Sequence, residues 1–252
     1  MTKPKGAAVV KSVERGVGAA AAYHDSAYPG DTLPYSYILS KVCGVATRPR
    51  PPSGERLRLI LNGYLRDWCG LTRILDSEPE EDSDAVLRGL NVVLSKRWES
   101  IRDLSGASIG EDLTSAQRSK LVSTFSEFNS GWRGLAGNAK RSPVATAKLL
   151  HMLLPGLCVI WDREHVLSRR FEDANGGRII FQGSAESYAE YIEFKAEQLR
   201  LIAMNAGSTV ARVSQTLVAR HAEDVARKFP LVSRSIPEPI TKILDEWNYD
   251  VG

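Results

Sequence analysis

Along most of this chain apolar residues return every three or four positions, the spacing of one buried helix face. The clearest case is Ser142 to Leu154, where Val144, Ala147, Leu150 and Leu154 share a face. Ser142 suits an N-cap, and Pro143 suits a first turn, where a missing N–H costs nothing. Pro155-Gly156 stops this helix. The wholly apolar Leu157 to Trp161 then delivers Asp162 to the start of a second helix, with Arg163, Arg169 and Arg170 following. Upstream, Leu57 to Leu75 predicts an amphipathic helix interrupted by glycines. Residues 85–104 and 113–130 predict two more, the latter with Thr114 or Ser115 as its cap. Residues 184–204, 204–229 and 237–249 read as three further helices. Asn175 to Ser184 carries the one convincing strand or hairpin signal, and no repeat of fixed period occurs. The fold class is therefore mainly α, with at most one short β-hairpin.

Composition narrows the partners more than the fold. A chain of 252 residues can bury a substantial core as one large domain or two lobes, and 43% apolar with 25% charged residues is ordinary for a soluble globular protein. The net charge of +3 is small, so any nucleic-acid site must come from local clustering. Arg56, Arg58, Arg66 and Arg73 could form a phosphate-facing stripe, although a solvated helix face is the commoner account. Arg48 and Arg50 sit in a proline-rich loop and should be exposed. The acidic stretch Asp76 to Asp84 reads as a solvated turn held away from DNA. Cys43, Cys69 and Cys158 lie far apart, against a disulfide framework, a zinc knuckle or a four-cysteine cluster, and a reducing cytosol is the simplest setting. No apolar run reaches the length of a membrane span, and charges interrupt the alanine-rich start, so no membrane partner and no cleavable signal are expected. Residues 1–22 should be a loose N-terminal segment. Tyr23, Tyr28, Tyr35 and Tyr37 could stack on bases, but packing that segment onto the core is favoured.

The order of small-residue helix, loop, apolar run, aspartate and basic helix resembles the helix-hairpin-helix DNA glycosylase superfamily. Gly134 to Lys148 (GLAGNAKRSPVATAK) and Val159 to Phe171 (VIWDREHVLSRRF) carry the resemblance, which covers a third of the chain at most. The chain is also similar to a broader set of bacterial proteins sharing a K-x-L-H…P…W-D core, here Lys148, Leu150-His151, Pro155 and Trp161-Asp162. The resemblance implies one helical domain over residues 23–252, two lobes with a cleft near residues 134–171, and a hairpin that grips the DNA backbone. It implies Asp162 as the catalytic carboxylate, with DNA contacts from Gly137, Lys140, Arg141, Thr146, Lys148, Arg163 and Arg169. Trp161, His151 and His165 are its candidates for the base pocket. Core packing for the tryptophan and a structural hydrogen-bonded imidazole for each histidine are the commoner roles. The implied partner is double-stranded DNA, including phage DNA with modified bases, bound by a monomer without cofactor or metal.

Base removal breaks a C1′–N bond and builds positive charge on the sugar, and a carboxylate beside that carbon stabilises the cation and orients water. The base must first leave the stack. Asp162 fits this role, and it fits equally the ordinary one of a helix N-cap. Lyase-active members of the family carry a lysine early in the second hairpin helix. The matching position here is Ala145, which has no amine for a Schiff base. The expected activity is therefore monofunctional hydrolysis leaving an abasic site, unless the register shifts to bring in Lys148. The hairpin departs from the family's two closely spaced glycines: Gly134 and Gly137 are followed by a longer basic turn closed by Pro143. Three rivals stand beside this reading. They are a non-catalytic nucleic-acid-binding helical protein, a helical interaction protein without a DNA role, and a metal-dependent nuclease using Glu193-Phe194-Lys195.

Overall fold

The computed structural model describes residues 35–42, 44–69, 71, 83–135, 142–162, 166–167, 170–172, 177–228 and 239–246. Helix α1 (Tyr35–Val42) leads through a 3-10 turn (Val45–Thr47) to α2 (Gly54–Arg58), which continues as a π-helix over Leu59–Trp68. Then come α3 (Ser83–Leu104), α4 (Ser115–Leu135) and α5 (Pro143–Leu153). The two-residue strands β1 (Phe171–Glu172) and β2 (Arg178–Ile179) pair antiparallel, Phe171 opposite Ile179. Helices α6 (Ala185–Asn205), α7 (Val210–Lys228) and α8 (Ile240–Glu246) follow. The fold is mainly α, as the spacing of apolar residues requires.

Each well-marked helix start has its physical reason. Thr114 caps α4 reciprocally: its Oγ1 accepts from the Gln117 N–H at 3.2 Å, and Gln117 Oε1 accepts from the Thr114 N–H at 2.9 Å. Ser142 caps α5 by accepting from the Ala145 N–H at 3.2 Å, with Pro143 in the first turn. Ser184 caps α6 by accepting from the Ser187 N–H at 3.2 Å. Helix α3 packs along α4, α4 against α5 and α6, α6 against α7, and α7 against α8. Their apolar faces join one connected core that runs in sequence from Ile38 to Leu244.

The structure departs from the expected boundaries in several places. The helix expected from Leu57 begins at Gly54, and its i→i+5 bonding extends to the Cys69 N–H, which donates to the Tyr64 carbonyl at 2.8 Å. Phe171 belongs to β1 rather than to a helix after Asp162. The stretch 204–229 is broken at Gly207, whose φ of +58° is left-handed, so α6 ends at Asn205 and α7 starts at Val210. The last helix is shorter than 237–249, beginning at Ile240. Residues 1–22, Cys43, Gly137 and residues 72–82 lie outside the described residues, whereas Gly134, expected in the hairpin, falls in the last turn of α4. No helix among the described residues is long and apolar enough to cross a membrane.

Candidate functional site

Asp162 stands at the end of a segment that the core holds from several sides. Leu157, Cys158, Val159, Ile160 and Trp161 are all buried. Helices normally satisfy their own backbone, but an extended segment inside a helical protein must find partners elsewhere. The Leu157 and Cys158 N–H groups donate to the Leu154 carbonyl at 3.0 and 2.9 Å. The His151 ring nitrogen Nδ1 lies 2.6 Å from the Cys158 carbonyl, and the Tyr188 hydroxyl donates to the Val159 carbonyl at 2.9 Å. Trp161 stacks on Tyr188 and Tyr191 of α6, with ring centroids 5.2 and 6.2 Å away, and meets Phe125 of α4 at 5.8 Å. Its indole N–H is buried with no hydrogen-bond partner among the described residues.

Asp162 itself is half-buried, at the edge of this platform. Its carbonyl accepts from both the Val166 and Leu167 N–H groups at 3.2 Å, so it opens a helical turn with mixed i→i+4 and i→i+5 bonding. The groups behind it are chemically quiet. Burial pushes the Cys158 thiol up to about 12 and the Tyr188 phenol well above its usual value. Neither is an acid or a nucleophile at neutral pH.

Several expected site residues take other roles. Trp161 and His151 are fully buried, so the structure places them in the core instead of on the wall of a base pocket. His151 is the hydrogen-bonded structural imidazole that was the commoner expectation. Thr146 is also buried: its hydroxyl donates back to the Ser142 carbonyl at 2.9 Å, a backbone bond instead of a DNA contact. Lys148 is half-buried, and its ammonium donates to the Cys69 carbonyl at 3.2 Å, tying α5 to the end of the π-helix instead of presenting itself to phosphate. Ala145 is buried. Arg170 is exposed. Gly137, Lys140, Arg141, Arg163, His165 and Arg169 lie outside the described residues.

A buried charged cluster went unnoticed in the sequence. Lys195 is 2% exposed, with its Nζ 5.7 Å from the centre of the Tyr191 ring. From α8, Lys242 pairs with Asp245 at 3.6 Å, both side chains buried. The signal was present: Tyr188, Tyr191, Ile192, Lys195 and Leu199 recur at the spacing of one helix face, and all five are buried. Glu193 lies off that face and accepts from Arg118 Nε at 2.9 Å. Glu193 and Lys195 therefore do not converge, and the E-x-K reading has no geometric support.

This cluster sets a pH dependence. Burial, partly opposed by Asp245, lowers Lys195 from 10.5 to about 7. Between those values the unfolded chain binds the extra proton, so stability rises with pH above 7, by at most about 1.4 kcal/mol per unit. Cys69 and Cys158 act oppositely. Burial raises them from 9.0 to about 11 and about 12, so their contribution is complete below pH 9 and is lost above it. The urea midpoint should climb between pH 7 and 9 and then turn over and fall, because two cysteines oppose one lysine there, and Lys195→Met should flatten the climb. A wild-type midpoint that stays constant over that interval would contradict a neutralised buried amine.

Compared with family models, with curated proteins and with solved structures, the chain matches none.

Proposed function

We propose that this protein is a DNA glycosylase that hydrolyses the N-glycosidic bond of a damaged or modified base and leaves an abasic site. A modified cytosine in phage DNA is the substrate class we favour, met in the cytoplasm by a monomer acting in phage defence. One observation carries the reading beyond the resemblance. Asp162 is half-buried at the rim of the core, at the end of a buried segment whose carbonyls are held by His151 and Tyr188. The backbone that leads to this carboxylate is held before substrate arrives, which suits electrostatic stabilisation of a sugar cation. Ala145 supports hydrolysis over lyase chemistry, since an imine needs an amine at that place.

The direct test is abasic-site formation by the full chain on plain duplex DNA and on DNA with substituted cytosines, in the presence of chelator. Release of a base from modified DNA alone supports the reading and identifies the substrate class. Tight binding without abasic sites on any substrate would end it. The burial of His151 and Trp161 favours a second reading in that event, a nucleic-acid-binding helical protein in which Asp162 only opens a helix. In that case the pocket-wall residues would be missing because there is no pocket.

A further inference from the structure

Elsewhere on the molecule an open depression of about 600 Å³ is lined by Val45, Arg48, Arg50, Pro52, Ser53 and Arg56, among others. We infer that this depression grips the phosphate backbone of duplex DNA, a contact outside the hairpin region. The inference rests on the proposed DNA substrate and adds to it a second point of attachment.

Four observations point the same way. First, the three guanidinium groups are on exposed residues, and none pairs with a carboxylate among the described residues. Three other arginines, by contrast, are matched: Arg97 with Glu127, Arg118 with Glu186 and Glu193, and Arg200 with Asp112 and Glu197. Second, among the described residues no acidic side chain lines the depression, the nearest in sequence being Glu55 beside Arg56. Third, the loop is held before any ligand arrives. Trp98 Nε1 donates to the Arg48 carbonyl at 2.9 Å, the Arg48 N–H donates to the Val45 carbonyl at 3.1 Å, and Val45 and Pro52 are buried beneath. Three prolines, Pro49, Pro51 and Pro52, restrict the backbone between the arginines. Fourth, all three cations are arginine, whose planar fork matches phosphate oxygens two at a time, and the site is open enough for a polymer to pass through.

The test is a salt series of duplex-binding titrations on the full chain. It compares wild type with the triple variant Arg48→Ala/Arg50→Ala/Arg56→Ala and with the triple lysine variant at the same positions. The slope of log affinity against log salt should fall by about 2.7 in the alanine variant, about 0.9 for each phosphate released. Affinity at low salt should fall at least about tenfold. The lysine variant should recover most of the slope, because it keeps the charge. Single alanine variants, each lowering the slope by about 0.9, serve if the triple variant does not fold.

A triple variant that binds duplex with the wild-type slope overturns the inference. So does a variant that keeps its DNA affinity and loses only its binding to a poly-glutamate peptide, which would mark the depression as an acidic-protein surface. A wild type that binds duplex through these arginines yet releases no base upholds the groove and defeats the glycosylase reading alone. A wild type with no duplex affinity at low salt defeats both.

Discussion

Asp162→Asn should lower the rate of abasic-site formation by about 10²- to 10⁴-fold, the range for losing a positioned acid–base group. The protein should stay folded, and its affinity for duplex should not fall. Asparagine keeps the shape and hydrogen-bonding reach of aspartate while removing the charge that would face a developing sugar cation. The backbone role of Asp162, accepting from Val166 and Leu167, uses its carbonyl and is untouched by the change. Asparagine is also an accepted helix-capping residue. A folded, DNA-binding, inactive variant is thus the signature of chemistry, because a mere cap would survive the substitution. Equal turnover by wild type and variant would assign base release to some other group.

Trp161→Ala should destabilise the protein by about 3–5 kcal/mol, as removal of a large core aromatic does. Three rings, Phe125, Tyr188 and Tyr191, lose their central partner together, and the residue is wholly buried. Trp161→Phe should cost less, because it keeps a ring in the stack and removes an indole N–H that has no acceptor among the described residues. Urea unfolding monitored by far-UV circular dichroism reads both. If Trp161→Ala leaves the midpoint within a few tenths of a molar while impairing only base release, the residue belongs to a ligand surface after all.

How far the sequence could be read depended on whether a feature was local. Caps are local, and Ser142 and Thr114 do at their helix starts what their side chains allow. The mainly α fold followed from apolar spacing alone. Helix α5 is buried on nearly all sides, so Thr146 went inside with His151 although it lies off the face its apolar spacing marked, and resemblance drew both towards a DNA-facing role that their packing does not support. Lys148 was misplaced for a different reason: its partner, the Cys69 carbonyl, is seventy-nine residues away in sequence. The influence of Asp245 on Lys195 is likewise a long-range fact, joining residues of α8 and α6 that lie far apart in sequence. The break at Gly207 was locally visible as glycine, yet apolar spacing on both sides disguised it. A close approach was not visible at all: a side chain at Gly110 would meet Val210 of α7 at 2.5 Å.

The stretch from Leu157 to Trp161 has one more consequence. In a sheet, neighbouring backbones hold a strand whatever its side chains are, so the path of the chain survives most substitutions. Here two of the carbonyls are held by a phenol and an imidazole from helices on either side. The route of the backbone is therefore written in side chains and is open to heritable change one residue at a time. Drift at position 151 or 188 would move the main chain leading to Asp162, so a lineage could retune or retire that carboxylate without ever altering it.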